Sequence, residues 1–208
     1  MIIELKNISK KFKDKVIFNN FNLAINEGEL VAVVGNSGSG KSTLLNMIGC
    51  IESPDCGEII IDGYKNPWKN EKEKLKIFRY KLGYLFQNYG LIDDYTVDKN
   101  LDIALEYVKD KEKDKMKKKV LKRVGLEEQQ NSKVYTLSGG EQQRVALARL
   151  MLKDSKIILA DEPTGSLDEC NRNNVLNELI RLNKEGKTVV IVTHDMYVAN
   201  MCDRIISI

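Results

Sequence analysis

A glycine-rich stretch between two apolar segments constrains the fold of this chain more than any other sequence feature. Leu30–Val34 is a continuous apolar run, residues 35–40 contain three glycines, and Lys41–Ile48 has the spacing of a helix. A strand that is apolar at every position predicts burial on both faces, as in a parallel sheet. The glycines permit a tight loop with inward-pointing N–H groups, and the N-terminus of the following helix attracts anions. The stretch therefore predicts a phosphate-binding loop.

The loop has the spacing G-x-x-x-x-G-K-[ST], which is typical of nucleotide phosphate sites. Lys41 is expected to bring a mobile positive charge to the β- and γ-phosphates, and the Ser42 hydroxyl to contact Mg²⁺, which prefers oxygen ligands. Each charge-assisted contact contributes about 1.5–3 kcal/mol. A chance glycine turn is the alternative, which the strand–loop–helix order disfavours. The predicted nucleotide-binding residues of the loop are Gly35, Asn36, Ser37, Gly38, Ser39, Gly40, Lys41, Ser42 and Thr43.

Composition excludes several classes of protein. The chain has 208 residues, which suits one domain or one core with an inserted subdomain. Its net charge of +3 is too mild to indicate a dedicated nucleic-acid binder. No apolar run approaches the roughly 20 residues that span a bilayer. The four cysteines form no C-x-x-C pair and there is one histidine, so we expect free thiols in a reducing cytosol and no zinc site.

Alternating strand-like and helix-like segments predict an α/β fold. Short strand-like runs occupy residues 2–8, 21–25, 30–34, 59–61, 84–86, 157–160, 189–192 and 205–208. A helix-like segment at residues 171–183 separates two of the later strands, which argues for a parallel core. Residues 97–153 are mostly helix-like and interrupt that core. The predicted division is a core of residues 1–87 and 156–208 with a helical subdomain at residues 88–155.

Two carboxylates follow the apolar run at residues 157–160. Ligands gather at the carboxyl ends of parallel strands, and side-chain alternation points Asp161 and Glu162 in different directions. Asp161 is expected to hold Mg²⁺, and Glu162 to orient or deprotonate an attacking water, an effect of about 10²–10⁴-fold in rate. His194, at the end of another predicted strand, would position that water. An ordinary acidic turn and a structural histidine are the alternatives.

A second glycine-containing segment, at residues 137–144, predicts half of a phosphate-binding site. Ser138 and Glu141 have the spacing of a capping box, so we expect a helix to begin here and to run to about Leu152. Gly139 and Gly140 would leave the N–H groups of its first turn open to an anion. The segment has no lysine and no metal ligand of its own, so a partner would have to supply the rest. The alternative is an ordinary glycine-rich helix cap.

Residues 109–123 carry nine basic and three acidic side chains. An apolar stripe at Val108, Met116, Val120 and Val124 recurs at multiples of four, as on one face of a helix. A solvated helix face is the simpler interpretation. Contact with anionic lipid headgroups is the alternative.

Taken together, these motifs resemble the nucleotide-binding subunit of ABC transporters, and the resemblance covers essentially the whole chain. Residues 35–42 match the Walker A loop, the strand that ends at Asp161 matches Walker B, and residues 137–142, LSGGEQ, match the highly specific signature sequence. The remaining matches are Gln87 of the Q-loop, residues 166–168 of the D-loop, the switch histidine His194 and the adenine-stacking aromatic Phe12. The family usually has tyrosine at the last position, so the stacking face is kept and the hydroxyl is lost.

The resemblance implies a P-loop NTPase (RecA-like) α/β core with an N-terminal antiparallel β subdomain and an inserted α-helical subdomain. It implies an ATPase that pairs head to tail around two ATP molecules. Glu162 would be the catalytic base and His194 the γ-phosphate contact, with Mg²⁺ at Ser42, Gln87 and Asp161. ATP would contact Phe12, the loop at residues 35–43 and Gln87. Across the dimer it would contact Ser138, Gly139, Gly140 and Glu141.

The resemblance also implies partners and a location. Separate transmembrane permease subunits would receive the force, and residues 88–92 would form their docking surface, unless Tyr89, Leu91 and Ile92 form a small core instead. The protein would be cytoplasmic and peripheral to the inner face of the cell membrane. Among bacterial members it is most similar to the lipoprotein-release and macrolide-exporter branch and to bacteriocin or antimicrobial-peptide systems. Export of a peptide, bacteriocin or lipophilic substrate, or resistance to it, is therefore expected, with no nucleic-acid partner.

Two other functions fit parts of the sequence. A non-transport ABC ATPase acting on nucleic acid or ribosomes would find support only in the basic residues 109–123. The segment between the Walker motifs lacks the sustained heptads of repair enzymes. The sequence holds one cassette, whereas ribosome-acting members usually hold two. A P-loop kinase would need an acceptor pocket and would give the LSGGEQ segment no role.

Overall fold

The structure, a computed structural model, describes residues 1–108, 111–165 and 168–208. These residues form two β-sheets and a group of helices. The strands are β1 (Ile3–Phe12), β2 (Lys15–Ile25), β3 (Leu30–Val34), β4 (Cys56–Ile61), β5 (Tyr64–Lys65), β6 (Leu82–Leu85), β7 (Ile157–Asp161), β8 (Thr188–Val192) and β9 (Arg204–Ser207). The helices are α1 (Lys41–Ile48), α2 (Glu71–Tyr80), α3 (Val97–Leu105), α4 (Lys113–Val124), α5 (Gly139–Leu152), α6 (Glu169–Lys184) and α7 (Met196–Asn200).

The first sheet is antiparallel, with the strand order β2-β1-β4-β5. Apolar side chains of β1 such as Ile3, Leu5 and Ile8 are buried, as expected where one face of an antiparallel sheet covers a core. The register between β1 and β2 shifts near the hairpin, where Lys10 pairs with Phe18 but Phe12 pairs with Lys15. Such shifts bend a strand and re-aim its side chains.

The second sheet is parallel, with the strand order β6-β7-β8-β3-β9. Every residue of β7 and β8 is buried, which explains the unbroken apolar runs at residues 157–160 and 189–192. Because β3, β7 and β8 are parallel neighbours, the loops that follow them meet at one edge of the sheet. The α/β core that the sequence predicted is therefore confirmed, and this edge carries the loop at residues 35–43, Asp161, Glu162 and His194.

The helices α3, α4 and α5 share a hydrophobic core of their own, formed by residues such as Leu101, Leu121 and Val145. The buried ammonium of Lys117 joins two of these helices through Asp98 at 2.8 Å and Asp102 at 2.9 Å. The other two apolar clusters lie on the two faces of the parallel sheet. The division of the chain at residues 87/88 and 155/156 stays a prediction.

Some local expectations were wrong in detail. Helix α4 begins at Lys113, so Val108 lies outside it, and the buried positions of α4 include Lys117 and Leu121 as well as Val120 and Val124. No helix within the described ranges combines the length and the apolar character that a bilayer crossing needs.

Candidate functional site

A cleft of about 640 Å³ opens at the carboxyl edge of the parallel sheet. The predicted site residues that line it are Phe12, Ser37, Gly38, Gly40, Lys41, Ser42, Thr43, Gln87, Glu162 and His194. The structure thus brings together residues from five separate segments of the chain. Three further lining residues, Lys15, Ile17 and Gly165, were missed because no motif marks them.

The loop between β3 and α1 depends on Gly40. This residue has φ 106°, and a Cβ atom there would meet the side chains of Ile17 and Phe18. The Lys41 ammonium donates to the carbonyl of Gly35 at 2.8 Å and to that of Asn36 at 3.0 Å. The lysine is thereby held across the loop at the start of α1, where the helix dipole also favours an anion.

Ser42 and Asp161 bring two oxygen ligands together from different elements. The Ser42 hydroxyl on α1 donates to Asp161 Oδ1 at the end of β7, at 3.1 Å. Burial raises the pKa of Asp161, and the hydrogen bond from Ser42 and the charge of Lys41 partly offset this effect. Gln87, which follows β6, lines the same cleft and offers an amide oxygen. A hydroxyl, a carboxylate and an amide form a donor set that fits Mg²⁺.

Glu162 and His194 form a pair at the same edge. The Glu162 carboxylate lies 2.9 Å from His194 Nδ1, and since a carboxylate only accepts, this contact places a proton on Nδ1. The other carboxylate oxygen of Glu162 is buried and has no partner among the described residues. Glu162 also has φ 44°, a left-handed conformation that costs a non-glycine residue about 1–2 kcal/mol. Strain of this kind collects at functional sites.

The hairpin between β1 and β2 reaches the loop from the other side. Phe12, at the end of β1, is 45% exposed and lines the cleft. The ammonium of Lys15, at the start of β2, donates to the carbonyl of Gly38 at 3.0 Å. This hydrogen bond therefore holds the β1–β2 hairpin in contact with the predicted phosphate-binding loop.

The N-terminus of α5 has the predicted capping box. The Ser138 hydroxyl accepts from the Glu141 N–H at 3.3 Å, and the Glu141 carboxylate accepts from the Ser138 N–H at 2.8 Å. The Ser138 N–H and the Ser138 hydroxyl both donate to the Glu141 carboxylate, and these two hydrogen bonds lower the pKa of Glu141. Ser138, Gly139, Gly140 and Glu141 do not line the cleft of their own chain.

One residue of the predicted D-loop, Asp168, lies within the described part of the chain. Asp168 accepts from the Asn171 N–H at 2.9 Å and caps α6. Of the D-loop interpretation, Ser166 and Leu167 lie outside the described residues.

The docking surface expected at residues 88–92 is only partly exposed. Tyr89 and Leu91 pack against a hydrophobic core, whereas Ile92 is 42% exposed. A groove of about 540 Å³ lies beside this segment, between α2 and α3. Its lining includes the exposed apolar side chains Ile51, Leu75, Tyr80, Ile103 and Tyr107.

A parallel sheet with a lysine-bearing glycine loop after β3 and two consecutive acidic residues at the end of β7 defines a P-loop nucleotide-hydrolysing domain. The ABC transporter family pattern matches residues 18–165. The chain belongs to this family and is a nucleotide-binding ABC ATPase cassette.

Relatives and solved structures agree with this assignment. The chain is 44% identical to the uncharacterized ABC transporter ATP-binding protein MJ0796 of Methanocaldococcus jannaschii, over 99% of this chain and 92% of that protein. A dimeric structure of MJ0796 superposes with a TM-score of 0.91 at 43% identity, over 99% of this chain and 94% of that one. Another solved structure, a post-hydrolysis state of MJ0796 bound to ADP and Pi, also gives a TM-score of 0.91, at 41% identity.

The chain also matches larger proteins. It is 42% identical to the macrolide export ATP-binding/permease protein MacB of Escherichia coli, over 100% of this chain and 33% of that protein. A MacB protein of Yersinia pestis is 40% identical, with 32% of its length covered. The chain therefore spans about a third of the length of these MacB relatives.

Proposed function

We propose that two copies of this chain pair head to tail around two ATP molecules and hydrolyse them. Each ATP would lie between the loop at residues 35–43 of one copy and Ser138, Gly139, Gly140 and Glu141 of the other. The observation that carries this proposal is that the capped α5 N-terminus does not line the cleft of its own chain. The dimeric structure of MJ0796 adds support, as does the fact that an exposed, glycine-bearing helix N-terminus suits an anion.

The described residues suggest how the reaction proceeds. Phe12 would stack on the adenine, and Lys41 with the loop N–H groups would bind the β- and γ-phosphates. Glu162 would accept a proton from the attacking water at its unpartnered oxygen, while His194 orients the carboxylate and contacts the γ-phosphate.

Ser42, Asp161 and Gln87 would hold Mg²⁺. The metal, when bound, would neutralise charge on the β- and γ-phosphate oxygens. The raised pKa of Asp161 is consistent with this role, because a cation stabilises the charged form of a buried carboxylate.

Mixing two inactive variants tests the shared site. Ser138→Arg would damage the α5 end of a site, and Lys41→Ala would damage the loop end. In a mixed head-to-tail dimer, both changes fall in one site and the other site is intact. We expect each variant alone to be inactive in phosphate release and the mixture to regain part of the rate. If the mixture is as inactive as its components, ATP is not shared between copies as proposed.

We further propose that ATP turnover drives a transmembrane permease at the inner face of the membrane. The MacB relatives are named macrolide export ATP-binding/permease proteins, and this name supports export as the direction of transport. We propose a peptide, bacteriocin or lipophilic substrate. The apolar groove between α2 and α3 would receive a permease helix, because it exposes Leu75, Ile103 and Tyr107 beside the segment that follows Gln87.

Membrane recruitment tests this docking. Ile103→Asp should abolish co-purification with permease-containing membranes while leaving ATP binding in solution unchanged. Tyr135→Asp is the matched control, because Tyr135 is an exposed aromatic residue outside the groove. Equal recruitment of both variants would refute the groove as the docking site.

A further inference from the structure

Lys10 is a buried lysine in contact with the aromatic residue at the mouth of the cleft. It is 7% exposed, whereas Phe12 is 45% exposed. Residues two apart on a strand share a face, so β1 directs both side chains to the same side. The Lys10 ammonium lies 4.9 Å from the centre of the Phe12 ring. Phe12 lines the cleft, and Lys10 does not.

Oxygen atoms from a distant segment hold the ammonium in place. Lys10 Nζ donates to Glu52 Oε1 at 2.6 Å and to the Ser53 carbonyl at 2.8 Å, and Asp55 Oδ1 is 3.6 Å away. Asp55 also binds the backbone of β1, through the N–H of Lys11 at 2.8 Å. The loop at residues 52–55 thus contacts the end of β1, the strand that carries Phe12, through hydrogen bonds and ion pairs.

The loop at residues 52–55 is also connected to α1, the helix that follows the predicted phosphate-binding loop. The N–H groups of Ile51 and Glu52 both donate to the Asn46 carbonyl on α1, at 2.9 and 3.1 Å. A continuous series of contacts therefore runs from α1 through Glu52 and Lys10 to the Phe12 ring. It fixes the position of the ring relative to the phosphate-binding end of the cleft.

We propose that Lys10 is a positioning residue for the nucleotide base: its ammonium braces Phe12 from outside the cleft and leaves the ring free to stack on adenine. A cation within about 6 Å of a ring attracts the π electrons, and an aromatic ring held by such a contact loses less freedom when a base stacks on it. This proposal rests on the proposed role of Phe12 in binding adenine.

Comparison of ATP with inorganic tripolyphosphate tests the proposal, because tripolyphosphate has the phosphates without the base. Lys10→Met keeps the apolar stem of the side chain and removes the charge. We expect this variant of the full chain to bind ATP about three- to tenfold more weakly in Mg²⁺ buffer, as measured by titration calorimetry. Its affinity for tripolyphosphate should stay within about twofold. KM for ATP should rise while kcat changes little.

Matched variants separate positioning from a general effect on the fold. Lys11→Met alters the exposed neighbour and should change neither affinity. Lys10→Arg should retain ATP affinity, because a guanidinium also binds carboxylates and ring faces. In a Phe12→Ala background, Lys10→Met should have no additional effect on ATP binding. Lys10→Gln, which keeps a donor for the Ser53 carbonyl, allows the same comparison if Lys10→Met does not fold.

Two results would overturn the proposal: equal weakening of ATP and tripolyphosphate binding, or no weakening of either. An unaltered ATP affinity in Phe12→Ala would instead show that the assignment of Phe12 to the base is wrong. Absence of ATP binding by the unmodified chain would reject the proposed function itself.

Discussion

Replacement of Glu162 by glutamine is the sharpest test of the proposed chemistry, because it changes one carboxylate oxygen to an amide nitrogen at nearly constant shape. The glutamine oxygen can still accept from His194 Nδ1, which lies 2.9 Å from Glu162 Oε1. The other oxygen, buried and without a partner, is the one that would take up a proton. The amide group cannot accept that proton, so binding should survive while turnover fails.

The expected loss follows from the usual contribution of a general base. A factor of about 10²–10⁴ in kcat corresponds to about 2.7–5.5 kcal/mol in activation free energy. Phosphate release at saturating ATP and Mg²⁺ measures kcat, and titration with ATP measures binding. If hydrolysis is the step that separates the copies, the variant should also elute as a dimer with ATP in size-exclusion chromatography.

Two controls make the result specific. Glu71→Gln makes the same chemical change at a 77% exposed position on α2 and should leave kcat unaltered. Thermal melting without nucleotide should confirm that Glu162→Gln is folded. A Glu162→Gln variant that keeps more than about one tenth of the rate would refute the assignment of Glu162 as the base.

Three further predictions concern the rest of the site. Lys41→Ala should weaken ATP binding about 10- to 100-fold, because it removes one charge-assisted contact; unchanged affinity in titration calorimetry would exclude the loop as the phosphate site. Ser138→Arg should abolish ATP-dependent dimers in size-exclusion chromatography yet leave ATP binding by the monomer within about twofold, whereas Ser138→Thr keeps the cap and should behave like the unmodified chain; loss of binding by the monomer would contradict the shared site. Burial raises the pKa of Asp161, so its contribution to stability is present in acid and lost as the pH rises through its folded-state pKa. Without nucleotide at pH 7, Asp161→Asn should therefore melt at a higher temperature than the unmodified chain, and this difference should fade near the ordinary aspartate pKa of about 3.9. ATP with Mg²⁺ should no longer raise the melting temperature of this variant. An unchanged response to ATP with Mg²⁺ would contradict the proposed role of Asp161 in holding the metal.

Features that arise from short-range chemistry were predictable from the sequence. The loop before α1 needs glycine at Gly40, and the capping box of α5 needs Ser138 and Glu141 three residues apart. The buried strands β7 and β8 were visible as apolar runs because both of their faces are covered. In each case, neighbouring residues contain the whole physical cause.

Features that depend on distant contacts were not predictable in this way. Helix α2 was missed because Ile77 is its one buried residue, so charged side chains dominate its pattern. The contact between Lys10 and Glu52 joins residues 42 positions apart, and no local pattern marks either one. The left-handed conformation of Glu162 is likewise marked by no local pattern, and its N–H donates to the Val192 carbonyl on the neighbouring strand at 2.9 Å.

That unusual backbone geometry at Glu162 has a practical consequence for engineering. Glycine adopts positive φ without steric penalty, and asparagine tolerates it better than glutamate does. A selection for heat resistance alone would therefore enrich glycine or asparagine at this position. We expect the selected variants, which lack the proposed catalytic base, to be more stable but unable to hydrolyse ATP, so selection for a more stable cassette also needs a screen for turnover.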